Sequence, residues 1–220
     1  MSPRASSSSV PGRVIPDHVL ERANVTTLSR AVLKRDRSLA VPERFAEVLR
    51  AAGLAPGLPR GSVCAVTGPA SVALTAVLLA EASKLGSWVA WCSTDAPNPR
   101  ALFDAGWCLD RLVCIDPQRQ WAACMGACIG EFEIVVTQLP VGVPAGEARR
   151  VSVAASRSNG IVVVLAAQRS SSMPADIEFR VVQSEWNLEV GHLRSQAMRV
   201  VLDGRRVAES RRFDVVFSAS

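Results

Sequence analysis

The chain has 220 residues, 49% of them hydrophobic and 20% charged, with a formal net charge of +5 at neutral pH. That length and apolar content suffice for one sizeable buried core and exclude a disordered or fibrous chain. The positive excess is small and scattered, so it does not by itself identify a nucleic-acid binder; arginine supplies 23 of the 25 basic residues, a bias that a GC-rich genome would also produce.

The first residues, MSPRASSSSVPG, join a serine run to two prolines. Such a composition cannot offset the entropy of ordering, and residues 1–13 are expected to form a disordered tail. No apolar signal-peptide region develops before Pro16 and Asp17, so the chain is expected in the cytoplasm. From Val14 to Leu39, Val19, Leu20, Ala23, Leu28, Ala31, Val32 and Leu33 recur at helical spacing against Arg22, Arg30, Lys34, Arg35 and Arg37, which predicts an amphipathic helix. Arg44 to Ala52 follows Pro42 and stops at Gly53, the order of signals expected at helix ends. Residues 14–50 are therefore read as an N-terminal helical docking segment, with Val19, Leu20, Leu28 and Val32 as its docking positions, and 51–220 as the core domain.

Gly57-Leu58-Pro59-Arg60-Gly61 is a turn-rich pentad. The uncharged stretch Gly61–Ala80 has the length of a membrane span, but Gly68-Pro69 breaks it, and a strand at Ser62–Thr67, a turn and a helix ending at Gly86 fit better. Strands are predicted at Trp88–Cys92, Leu112–Ile115, Glu133–Gln138 and Gly160–Ala167, alternating with helices at Pro99–Ala105, Gln118–Cys128 and Ala145–Arg157. Beyond Gln168 come only strands: Ile177–Val182, Trp186–Val190, Ala197–Leu202 and Phe213–Ser218, with Asp203-Gly204 as a tight turn. The pattern predicts an α/β fold, a mainly parallel sheet covered by helices and extended by an antiparallel meander.

Six cysteines, Cys64, Cys92, Cys108, Cys114, Cys124 and Cys128, show no C-x-x-C pair, and His18 and His192 lie far apart. No zinc pattern emerges, and buried free thiols are expected. Trp88, Trp91, Trp107 and Trp121 are expected in the core rather than as an exposed stacking platform for bases.

Gly68 to Thr75, GPASVALT, has the outline of a phosphate-binding loop, G-x-x-x-x-G-K-S/T. Gly68 and Thr75 fill the outer positions. Ala73 stands at the second glycine, where a left-handed backbone would cost about 1–2 kcal/mol, and Leu74 stands at the lysine. Lys84 lies nine residues past Thr75 in the same predicted helix, roughly 13 Å away and too far to replace the missing charge.

From Ala51 onward the sequence resembles the bacterial recombinase RecA core. Gly57-Leu58-Pro59-Arg60-Gly61 resembles that family's G-L-P-x-G and Gly68-Pro69-x-Ser71 its G-P-E-S loop, while Glu81-Ala82 sits late in the following helix as it does there. Ala90 to Asp95 resembles the strand that ends in the catalytic glutamate, Ile134 to Thr137 the Walker B strand, and Ser158 to Gln168 the strand whose terminal glutamine senses nucleotide. The resemblance implies a RecA-like P-loop fold in which Asp95 replaces the glutamate, Thr137 the magnesium-linked aspartate and Gln168 is retained. It also implies that Leu74 and Thr137 share a crevice at the carboxyl edge of the central strands. With the lysine and the Walker B acid gone, no catalytic residue, metal or cofactor is expected.

The layout is similar to the actinobacterial ImuA-prime family. That likeness implies an accessory subunit of a DNA-damage-induced mutasome, working in translesion synthesis with an ImuB-type polymerase homologue and an error-prone C-family polymerase, with RecA filaments as a further candidate partner, close to the nucleoid after damage. The loops Leu139–Glu147 and Arg169–Asp176 are short where RecA grips single-stranded DNA, leaving Arg149, Arg150 and Arg169 as possible phosphate contacts; Arg205-Arg206 and Arg211-Arg212 are read as a solvated face. The alternatives are a weak ATP- or single-strand-binding paralogue and a SulA-like inhibitor of cell division.

Overall fold

Uncharged runs rich in valine, isoleucine and cysteine form the central strands, and the helices cover their two faces. The computed structural model describes residues 37–95, 97–167, 173–189 and 192–218. The expected tail, the docking positions Val19, Leu20, Leu28 and Val32, and the residues Gln168 and Arg169 lie outside the described residues.

The elements in chain order are β1 (Ser38–Ala40), α1 (Glu43–Ala51), β2 (Gly57–Pro59), β3 (Ser62–Thr67), α2 (Ser71–Lys84), β4 (Val89–Cys92), α3 (Pro99–Asp104), a 3-10 turn at Leu109–Arg111, β5 (Leu112–Ile115), α4 (Trp121–Cys128), β6 (Ile134–Gln138), α5 (Ala145–Arg157), β7 (Ile161–Ala166), β8 (Ile177–Glu189), β9 (His192–Asp203) and β10 (Arg211–Ser218). Eight strands make one mixed sheet in the order β10-β9-β8-β3-β7-β6-β4-β5. Strand β3 pairs in parallel with β7 and β8, β6 with β7 and β4, and β4 with β5. The pairs β8/β9 and β9/β10 are antiparallel.

Three expectations change. Leu39, expected in a helix, lies in β1, which pairs with β2, so the turn-rich pentad at Gly57 is half strand. The two strands expected at Ile177–Val182 and Trp186–Val190 are one long strand, β8, interrupted by register shifts against β9. One shift falls between Val181 and Gln183, and a bulge there bends the strand without ending its pairing. The uncharged stretch Gly61–Ala80 is resolved as β3, a turn and α2; among the described residues no helix is long and apolar enough to cross a membrane.

Alternation along the strands divides the core. Cys64, Val66, Trp91, Val136, Val163 and Leu165 pack with α1 and α2 on one face. Val63, Ala90, Cys92, Val135, Val162 and Val164 pack with α4 and α5 on the other. On the α2 face Phe45 meets Phe179 and Phe213 edge to face at 6.1 Å, and Phe179 meets Phe213 at 6.4 Å. Each such pair is worth about 0.5–1.5 kcal/mol beyond its buried area, and together they pin α1 across β8 and β10. Helix α2 buries residues on nearly every side, which is why its sequence carries so few polar positions.

Candidate functional site

The parallel strands β3, β4, β6 and β7 all end at the same edge of the sheet, where open α/β sheets bind their ligands. There β3 runs through Gly68, Pro69 and Ala70 into α2. Gly68 has φ +93° and donates its N–H to the Ala166 carbonyl at 3.2 Å. A Cβ on Gly68 would collide with the Val181 carbonyl, because β8, the parallel neighbour of β3, runs on close beside the turn. Glycine is required here by both the backbone angle and the close approach.

The turn between β3 and α2 is short and leads straight into the N-terminus of α2. A phosphate loop needs a run of backbone N–H groups converging on one point. In this chain α2 begins at Ser71, and the Leu74 N–H already donates to the Ala70 carbonyl at 3.0 Å within the helix. The left-handed residue is Ala70, at φ 59°, rather than Ala73, which sits in the first turn of α2. Leu74 and Thr75 are fully buried in the core. The Thr75 hydroxyl has no hydrogen-bond partner among the described residues, a cost of about 1–3 kcal/mol that the surrounding apolar packing offsets. Beside them, the buried Thr67 hydroxyl donates to Glu178 Oε1 at 3.0 Å and ties the end of β3 to β8.

Thr137 lies elsewhere. It is fully buried and shares the face of Val135, opposite Leu74, where Trp121 Nε1 donates to its hydroxyl at 2.8 Å. Leu74 and Thr137 therefore do not share a crevice: one packs beneath α2, the other beneath α4. Asp95 is exposed; its N–H donates to Ser93 Oγ at 3.2 Å, and Ser93 Oγ donates to Gln138 Oε1 at 3.3 Å. Leu74 and Thr137 are thus engaged in packing, and the Asp95 backbone in a turn.

Arg149 and Arg150 are exposed on α5 and, with Arg157, lie along one open face of that helix. Arg205 and Arg206 both pair with Asp176, and Arg211 pairs with Glu209, while Arg205, Arg206 and Arg212 stay exposed, as a solvated face requires. A second cleft, about 450 Å³, opens between α2, α3 and the antiparallel strands; Arg44, Ala73, Val77, Trp186, Val216 and Phe217 are among its walls. Trp91, Trp107 and Trp121 are buried as expected, but Trp88 is 40% exposed beneath the Arg111 guanidinium, which sits 5.6 Å from its ring.

The cysteines hold a feature that the sequence spacing did not reveal. The sulfurs of Cys92, Cys124 and Cys128 lie within 4.8 Å of one another. Cys124 and Cys128 are one helical turn apart, a signal readable from sequence, but the third member comes from β4 and only the packing of α4 on the sheet supplies it.

Fold and edge together describe an α/β protein with a mixed eight-stranded sheet flanked by helices, whose strand-turn-helix junction after β3 buries Leu74 and Thr75 in the core. A family model, the MT3502 N-terminal domain, matches residues 52–171, just over half the chain, and the chain belongs to that family. The match covers β3 to β7 with their helices. No curated protein matches the chain.

Proposed function

We propose that this chain is a non-catalytic RecA-like accessory subunit of a DNA-damage-induced translesion synthesis complex, an adaptor between a polymerase homologue of the ImuB type and an error-prone C-family polymerase. The observation that carries the non-catalytic part is the burial of Leu74 inside α2, with its N–H already spent on the Ala70 carbonyl. No lysine charge stands at that position. The RecA-like part is supported by parallel strands joined through covering helices, the G-P turn after β3 and the antiparallel extension β8–β10. The named partners rest on the resemblance to the ImuA-prime family.

An adaptor works by its surface, and the cleft beside Trp186 supports that role. Trp186 is 49% and Val216 57% exposed, next to the buried wall of α2. Large half-exposed aromatics are typical anchors of protein interfaces. Calorimetric titration with ATP and magnesium tests the non-catalytic part, where micromolar binding would overturn it. Co-purification from DNA-damaged cells tests the partners, and recovery of neither polymerase would remove them.

The exposed face of α5 that carries Arg149, Arg150 and Arg157 favours one second reading, direct contact with single-stranded DNA. That contact would weaken with salt in proportion to the phosphates engaged, and oligonucleotide binding without such a slope would eliminate it.

A further inference from the structure

The α4–α5 face of the sheet carries a group of thiols that the proposed function does not use. Cys92 ends β4 on the face of Val135, and α4 packs there with Cys124 and Cys128 on its inner side. Cys92 and Cys128 are buried with sulfurs 3.7 Å apart, and Cys124 keeps partial access to solvent. We infer that Cys92, Cys124 and Cys128 form a three-sulfur site for a trivalent thiophilic metalloid of the arsenite class, held as a neutral trithiolate.

Donor type comes first. Thiolates select soft ions over magnesium, calcium or manganese. Donor number comes next: structural zinc takes four ligands, and among the described residues no His, Asp or Glu joins the three sulfurs. Three donors without a fourth suit a centre that prefers a trigonal pyramid.

Charge decides among the soft ions. Three thiolates around zinc leave one net negative charge and around copper(I) two, in a pocket walled by Trp121, Met125 and Val135. An unpaired buried charge is expensive, and the groups that act electrostatically on Cys92 are the other two thiols, with no cation among them. A trivalent centre with three thiolates is neutral. Each of the three sulfurs enters the reaction as a free thiol. Arsenite removes those protons without leaving charge behind: As(OH)₃ and three S–H groups give As(S–R)₃ and three waters. Each As–O bond is replaced by an As–S bond, each thiol proton leaves on a hydroxide, and no atom changes oxidation state. The bound centre would cross-link β4 to α4 and stabilise the fold by mass action.

The test uses the full chain, reduced with a non-thiol reductant, incubated with arsenite and desalted. The expected result is one arsenic per chain, three sulfur and no oxygen neighbours by X-ray absorption, and a raised Tm. Cys124→Ala, at the least buried of the three positions, should lose retention while keeping the circular dichroism of the parent. Cys114→Ala, at an exposed position on β5, should retain arsenic in full. Retention that survives Cys124→Ala, oxygen in the coordination shell, no retention at all, or stoichiometric zinc binding in preference to arsenite would each overturn the assignment.

Discussion

Trp121 donates its indole N–H to the hydroxyl of Thr137 at 2.8 Å, inside the core between α4 and the sheet. This bond occupies the position that resembles a magnesium-linked aspartate, and it accounts for threonine there. Thr137→Val should cost about 1–3 kcal/mol, because the buried indole N–H would lose its acceptor. Trp121→Phe with Thr137→Val should cost less than the sum of the two singles, a coupling readable from urea unfolding midpoints. Additive effects would mean that the bond does not hold α4 in place.

Returning a lysine to the phosphate-loop position should damage the fold without restoring chemistry. Leu74 is fully buried within α2, so Leu74→Lys places an ammonium in the apolar core. The expected loss is about 4 kcal/mol or more, and titration calorimetry of any folded fraction should show no gain in ATP binding. Tight ATP binding by this variant would mean that the edge opens far more readily than its packing implies.

Gly68→Ala tests how closely β8 lies beside the turn. The methyl would meet the Val181 carbonyl, at a backbone angle that side chains avoid. A loss of about 2–4 kcal/mol is expected, with increased amide exchange in β8 near Val181. The stability of Pro69→Ala should change less, since Pro69 is exposed.

Alkaline pH should destabilise the chain through its buried thiols. Burial pushes Cys64, Cys92 and Cys128 up, and the charges of Asp176 and Glu178 add to the effect on Cys64. The folded thiols keep their protons while those of the unfolded chain ionise above about pH 8.5, so stability is intact below that value and falls as pH rises through it. The slope should approach about 1.4 kcal/mol per pH unit for each such thiol, and Cys64→Val should lessen it. The chain has no tyrosine and only two lysines, so few other groups titrate in that range. Equal urea midpoints at pH 7.5 and pH 10 would contradict the burial of these thiols.

Most element positions were legible because their signals are local. Uncharged β-branched runs marked β3 and β7, and the helix expected from Pro99 is α3, where the structure adds a cap: the Asn98 side chain accepts from the Arg100 N–H at 2.9 Å. The Gly68 turn was also legible, since a glycine between a buried strand and a helix announces an unusual backbone angle. Less legible was the length of β8, because a bulge and a strand end look alike in sequence: both interrupt the alternation of apolar and polar residues.

Sequence by itself determined most of the strands and helices, that leucine rather than lysine stands at position 74, and that Cys64, Cys92 and Cys128 lie in apolar surroundings. These follow from side-chain type and short-range spacing. Only the tertiary structure decided that Leu74 and Thr137 face opposite sides of the sheet, that Trp121 fills the hydroxyl of Thr137, and that Cys92 joins Cys124 and Cys128. The reason is geometric: a strand's alternation fixes which residues share a face, but not which helix comes to cover it. That depends on strand order and on the path of each connection, where residues dozens of positions apart first meet.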